Sequence, residues 1–127
     1  MTKDNNIQGL GTDIIEIERI KQSIERHGQH FLDRVFTAKE QAHCLQFKDS
    51  APHFAGRFAA KEAVAKALGT GFGESLSWQD VEVLGDEKGK PEVYLSEKAK
   101  QQFKNAKLLV SISHCHSHAS AVAIYSQ

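Results

Sequence analysis

An α+β fold, with an antiparallel sheet packed with helices, is the architecture this sequence predicts. Alternating apolar residues occur in segments joined by turns, such as "WQDVEVL" and "EVYL" across "GDEKGKP", as in β-hairpins. A long alanine-rich segment, from near Pro52 to about Leu68, reads as a helix that stops at Gly69. Helices and hairpins are mixed along the chain instead of alternating strand by helix, which argues against a doubly wound sheet.

The elements follow in order. "IQGLGTDIIEI" reads as a strand running to about Asp13. Its glycines, Gly9 and Gly11, let another backbone or a ligand come close. Ile17, Ile20 and Ile24 then share one face at helical spacing. Asp13 sits at the predicted strand-to-helix joint, where an aspartate can serve as a cap. Thr37 followed three residues later by Glu40 is a capping-box pattern that opens a second helix. Pro52 falls near the start of a third helix, where proline is tolerated. "GTGFGES" is a loop after Gly69. A strand is expected from Trp78, with Val81 and Val83 on one face. Ser96 caps a helix through about Ala106. "KLLVSISH" and "ASAVAIYS" are two further strands linked by "HCHSH".

The length of 127 residues suits one compact domain over 1–127. Sixteen basic residues balance sixteen acidic ones, which argues against general nucleic-acid binding. The two cysteines, Cys44 and Cys115, follow no disulfide-scaffold spacing. The N-terminus has no apolar run of signal-peptide length, and no segment approaches bilayer-spanning length. A cytoplasmic protein with no membrane partner is the expectation.

Chemistry concentrates on the third helix. Ala55, Ala59, Glu62 and Lys66 lie within one narrow arc at helical spacing. Spacing alone permits a plain i,i+4 Glu–Lys pair. That plain pair is the commoner reading; the sharper one is a carboxylate for a metal beside an ammonium for a phosphate, with alanines leaving room. Asp13 supplies a second carboxylate for a hard cation such as Mg²⁺ if the first strand lies beside this helix.

The motifs "GLGTDIIEIERI", "FAGRFAAKEAVAKALGTG", "GKP" and "VSISH" occur in this order. Together they resemble the holo-acyl-carrier-protein synthase family, the small bacterial-type 4′-phosphopantetheinyl transferases, from about Ile7 to Tyr125. The resemblance implies the 4′-phosphopantetheinyl transferase fold. It also implies Mg²⁺-dependent transfer of phosphopantetheine from coenzyme A to a serine of apo-acyl carrier protein, in fatty acid biosynthesis. Adenosine 3′,5′-bisphosphate is the other product. Family members of this length are homotrimers with active sites between subunits. By motif match, Asp13 and Glu62 fall on metal-ligand positions and Lys66 on the lysine that approaches the pyrophosphate. Arg57 and His114 fall near the nucleotide's phosphates, and Gly89, Lys90 and Pro91 near the adenine. Glu62, directly or through a metal-bound water, is the candidate base for the serine hydroxyl.

Arg19, Ser23, Arg26 and His30 fall on one face of the helix after Asp13, opposite its isoleucines. Such a face is often merely solvated. The resemblance makes it the carrier-docking helix, with Arg19, Ser23 and Arg26 meeting an acidic partner. Two rival classes remain. One is a non-catalytic coenzyme A or nucleotide-binding module, which needs no Asp13–Glu62 pair. The other is a zinc-binding protein built on "HCHSH", although no second ligand pair accompanies it. "GTGFGES" lacks the lysine-serine ending of a P-loop and follows a helix instead of opening one.

Overall fold

The computed structural model describes residues 6–127. Residues 1–5, which the expectations about the N-terminus and a domain over 1–127 include, lie outside the described residues. In chain order the elements are β1 (Ile7–Glu16), α1 (Ile17–His27), α2 (Gln29–Val35), α3 (Ala38–Leu45) and α4 (Ala51–Leu68). A 3₁₀ turn (Trp78–Asp80) leads into β2 (Val81–Gly85) and β3 (Pro91–Leu95). The chain then forms α5 (Glu97–Gln102), β4 (Lys107–His114) and β5 (His118–Ser126).

Strands β1, β5 and β4 form an antiparallel sheet in that order, and β2 with β3 forms a separate antiparallel hairpin. Helix α4 lies on the inner face of the larger sheet. Its small residues make that closeness feasible: Ala55, Ala59, Ala60, Ala63, Ala65 and Ala67 are all buried. A helix apolar on nearly every side belongs in a protein interior. One core cluster joins α4 to β2, α5 and the sheet. A second joins its N-terminal half to α1, α2 and α3 through Phe36, Phe54 and Ile20. Pro52 occupies the first turn of α4, and Gly69 ends it with φ 87°.

Four local expectations are corrected. Spacing predicts a first strand ending near Asp13, but β1 continues to Glu16 because β5 pairs with it as far as Glu16 opposite His118. Asp13 is therefore inside a strand and caps no helix; Glu16 holds the N-cap position of α1. The helix expected to carry Arg19, Ser23, Arg26 and His30 breaks at Gly28, whose φ of 54° suits glycine. His30 thus falls on α2, away from the other three. Trp78 opens a 3₁₀ turn instead of a strand, since Asp80 accepts a 2.8 Å hydrogen bond from the Ser77 N–H. The helix capped by Ser96 ends at Gln102, and Asn105, at φ 63°, turns the chain into β4.

The Thr37 capping box forms as its pattern predicts. Glu40 also does more than cap. Both Glu40 and Lys61 are fully buried, and their ion pair is 2.7 Å long. Lys61 Nζ donates further to Val35 O at 2.6 Å, and the Val83 N–H donates to Glu40 Oε2 at 2.7 Å. One buried network therefore ties α2, α3, α4 and β2 together.

Candidate active site

Two glycines place the site. A Cβ at Gly9 would lie 1.8 Å from Ala67 O, and one at Gly11 would lie 2.0 Å from Ala63 O. Only bare backbone fits there, so β1 rests directly against α4. The partner anticipated for these glycines is thus another backbone. Asp13 follows Gly11 by two residues and shares its face of the strand. It therefore meets the turn of α4 that carries Glu62 and Lys66. Lys66 Nζ donates to Thr12 O at 2.9 Å and pairs with Asp13 Oδ1 at 3.2 Å. Lys66 is accordingly not confined to an i,i+4 pair with Glu62.

Glu62 is half-buried among the methyl groups of α4. Burial pushes its carboxyl above the ordinary carboxylate range, the nearby Asp13 carboxylate adds to the shift, and Lys66 partly offsets both. Two carboxylates face one cation, and that cation's side chain is 52% exposed. The arrangement is short of positive charge.

A cleft of about 520 Å³ opens from this point. Asp13 and Glu62 line it, together with Arg19, Ser23 and Arg26 of α1. Phe58 and Trp78 form an aromatic wall, with ring centroids 5.0 Å apart. Phe72 stacks on the outer face of Trp78 at 4.1 Å. The predicted docking residues and the predicted metal carboxylates thus share one concavity. Local periodicity does not disclose the aromatic wall. Phe58 stands one turn before Glu62, which was its only signal, and the strand assigned to Trp78 concealed the rest.

Arg57 and His114 belong to a second locality. Charge from Arg57 and from His114 bears on His53. Arg57 Nε is buried without a hydrogen-bond partner. Gly89, Lys90 and Pro91 are elsewhere again, at the β2–β3 turn. There Gly89 has φ 83°, and the Asp86 carboxylate accepts from the Lys88 and Lys90 N–H groups at 2.8 and 2.9 Å. Lys90 and Pro91 line a groove with Leu108, Leu109 and Val110 of β4. Within one chain, that groove and the Asp13–Glu62 cleft share no lining residue.

The "HCHSH" segment is a polar turn between β4 and β5. The Cys115 N–H donates to His118 O at 2.9 Å, and Ser117 Oγ lies 2.8 Å from His118 Nδ1. Among the described residues, no three His, Cys, Asp or Glu side chains gather in a group that could hold a metal ion. Both cysteines are free. No helix among the described residues is long and apolar enough to cross a membrane.

Comparison with known proteins agrees with the motif set. The model of the 4′-phosphopantetheinyl transferase superfamily matches residues 9–123. The chain is 59% identical over 118 residues to the holo-[acyl-carrier-protein] synthase of Protochlamydia amoebophila, covering 93% of this chain and 97% of that one. Its structure is similar to that of the Neisseria meningitidis holo-[acyl-carrier-protein] synthase, with a TM-score of 0.88 at 31% identity, covering 95% and 99% of the two chains. The Helicobacter pylori holo-[acyl-carrier-protein] synthase, solved in complex with coenzyme A, is similar with a TM-score of 0.84 at 37% identity, covering 92% and 99%.

Proposed function

The chain belongs to the holo-acyl-carrier-protein synthase family, and is thus a transferase of the 4′-phosphopantetheinyl class; from that premise we propose its substrates, metal and residue roles. Coenzyme A is the donor, a serine of apo-acyl carrier protein is the acceptor, and adenosine 3′,5′-bisphosphate is released. The reaction belongs to fatty acid biosynthesis in the cytoplasm, and residues 1–127 act as one catalytic domain. The observation that carries this reading is the meeting of Asp13 and Glu62 beside Lys66, in a cleft also lined by Arg19 and Arg26. A non-catalytic binder has no use for two carboxylates held together at a cost.

The donor set fits Mg²⁺. Asp13 and Glu62 offer hard oxygen ligands, and the elevated Glu62 carboxyl marks a place where added positive charge is stabilising. Bound there, the cation supplies charge neutralisation at the pyrophosphate. Lys66, free to leave Asp13 for a stronger anion, steadies charge growing on the leaving phosphate. The serine oxygen forms the new bond to phosphorus, the pyrophosphate P–O bond breaks, and Glu62 accepts the serine proton. Arg57 and His114 hold the nucleotide's phosphates, and Gly89, Lys90 and Pro91 border the adenine.

That last assignment needs more than one copy of the chain. The outer face of the three-stranded sheet carries Leu10, Ile14 and Leu109, each more than 60% exposed, with Val122 beside them. An uncovered apolar row on a flat sheet marks an interface. A homotrimer closed through this face covers the row and sets the Lys90–Pro91 groove of one copy toward the carboxylates of another.

Intact-protein mass spectrometry of an apo-acyl carrier protein tests the reaction. Incubation with this protein, coenzyme A and Mg²⁺ adds one phosphopantetheinyl group, and a chelator prevents it. No mass gain across several carriers refutes the reading. Asp13→Ala abolishes the gain without unfolding the protein, and an active variant removes Asp13 from the metal site.

A further inference from the structure

Lys61 is fully buried, and nothing in the transfer chemistry uses it. It precedes Glu62 on α4, and at about 100° per residue the two side chains leave the helix in different directions. Glu62 lines the carboxylate cleft. Lys61 enters the junction of α2, α3 and β2 instead. A buried ammonium is unfavourable unless its hydrogen bonds are met. Lys61 Nζ donates to Val35 O at 2.6 Å and to Glu40 Oε1 at 2.7 Å, and it lies 5.7 Å from the centre of the Phe36 ring. Glu40 is fixed in turn by the Thr37 N–H at 2.8 Å and the Val83 N–H at 2.7 Å.

What this junction holds is the C-terminal end of α2. A helix of seven residues is too short to be stable by itself, and its last carbonyls have no partners within it. Side chains from three other elements supply them. Gln41 of α3 donates to Leu32 O at 3.2 Å and to Phe36 O at 3.1 Å. Gln79 of the 3₁₀ turn donates to Asp33 O at 2.8 Å and to Phe36 O at 2.9 Å. Lys61 of α4 takes Val35 O and brings the positive charge that suits a helix C-terminus. Two of these anchors are next in sequence to a residue of the cleft, Lys61 to Glu62 and Gln79 to Trp78. Helix α2 itself contributes Phe31 and Arg34 to the cleft lining. The end of α2 is therefore the point at which three parts of the cleft are spaced from one another.

We infer that Lys61 is a positioning residue of the transfer reaction: from the buried side of α4 it holds the α2 wall of the cleft at a fixed distance from Glu62, so that a carrier docked on that wall presents its serine at the carboxylates. This deepens the proposed function and rests on an acidic carrier protein being the acceptor. Lys61 acts through α2 and touches no substrate. Its loss releases Val35 O and lets α2 shift against α4, which carries Phe31 and Arg34 with it. Arg34 is the charge on that wall to which an acidic partner responds. The residues proposed for the donor, Asp13, Lys66 and Arg57, lie on β1 and α4, so donor binding does not follow the movement of α2.

The test is steady-state transfer by Lys61→Met with the carrier protein varied, alongside calorimetric titration of coenzyme A into the same variant. KM for the carrier is expected to rise about tenfold, the effect of one well-placed charge pair lost at an interface, while the dissociation constant of coenzyme A stays at the parent's value. A merely structural role lowers the active fraction, and with it kcat, at unchanged KM, or weakens both substrates alike; either outcome overturns the inference. In an Arg34→Ala background, Lys61→Met is expected to add little to the carrier KM, because both changes act on one contact. A further rise of about tenfold there shows independent effects and overturns it too. Glu40→Gln combined with Lys61→Met leaves no unpaired charge in the junction and takes the place of the single variant should that one fail to fold. Gln79→Ala, at an exposed anchor of the same helix end, is expected to move the carrier KM in the same direction. An unchanged carrier KM in the double variant and in Gln79→Ala overturns the inference and leaves the proposed function intact. Absence of transfer by the parent to any of several carriers overturns the proposed function and this inference with it.

Discussion

Gly11→Ala tests the contact on which the site depends. The added Cβ would lie 2.0 Å from Ala63 O, 2.8 Å from Ala67 N and 2.9 Å from Ala63 C. The 63 carbonyl and the 67 N–H are the pair an α-helix joins, so the methyl group intrudes on the ladder itself. Real Cβ contacts essentially never fall below 3.0 Å. Strand and helix must therefore separate by about 1 Å or more. Both sides are backbone, with no side chain to turn aside, which sets the cost at the upper part of the ~1–3 kcal/mol range for overpacking. For a chain of this size, that lowers the thermal midpoint by roughly 4–12 °C. The same displacement carries Asp13 away from Glu62 and Lys66, and a misplacement of about 1 Å costs on the order of 10²-fold in rate. Thermal melts, and single-turnover transfer to carrier protein at a temperature where the variant is folded, measure the two effects. Gly73→Ala is the control, since a Cβ there meets nothing within 4 Å. A Gly11→Ala variant with the parent's midpoint and rate refutes the claim that backbone contact positions the site.

The other predictions concern charge and assembly. Glu62 has a raised value in the fold, so the folded state binds its proton more tightly than the unfolded chain does. Stability therefore falls as pH rises from the ordinary carboxylate value through the raised one. Metal-free Glu62→Gln is expected to melt higher than the parent at neutral pH, with the gap closing in acid, while transfer is lost; a lower neutral-pH midpoint contradicts this. Lys61→Ala strands a buried carboxylate and costs about 3–5 kcal/mol in urea unfolding; a loss below about 1 kcal/mol, the worth of an exposed pair, shows that the Glu40–Lys61 network contributes little. Arg19→Glu raises KM for the carrier protein more than KM for coenzyme A, and weakens the salt dependence of the carrier term; equal changes in both remove α1 from docking. Leu109→Lys puts a charge on the open sheet face, and light scattering is expected to report monomers for this variant and trimers for the parent.

The sequence already disclosed much of this because its signals are local. Thr37 with Glu40, Ser96 before α5 and Gly69 after α4 each act within a few residues, and each forms as its pattern requires. Gly9 and Gly11 announced a close approach without naming what approached. Other features depend on partners distant in sequence. Whether β1 stopped at Asp13 was decided by β5, more than a hundred residues away, whose His118 holds Glu16 in the ladder. Lys61 looks like one more solvated charge in "AAKEA", and its burial becomes apparent only once α3 delivers Glu40 to it. Gly28 carried a usable local signal, a glycine between two amphipathic stretches, and the regular spacing of Arg19, Arg26 and His30 masked it. The His43–Phe47–His53 cluster spans the turn between two helices, so no single periodicity displays it.

The distribution of burial explains why this small fold depends on a helix of alanines. A catalytic carboxylate gains basicity by leaving water, but a deeply buried one loses access to its substrate. Large side chains around Glu62 would force that choice. Alanines instead admit β1 to backbone contact on one side and leave the other side of Glu62 open to the cleft. The same contact places Asp13 near enough to raise the Glu62 carboxyl, while Lys66, held to the rim by Thr12 O, offsets only part of the strain. The residual shortage of positive charge is a stability cost in the protein alone and, on the proposed function, a binding force for a cation and a pyrophosphate. The carboxylates, the histidine cluster around Arg57 and the Lys90–Pro91 groove each sit at a boundary of the α4 core rather than inside it. A chain of this size thereby keeps its core for stability and leaves its edges, including the apolar sheet face, open to the substrates and further copies of itself proposed for them.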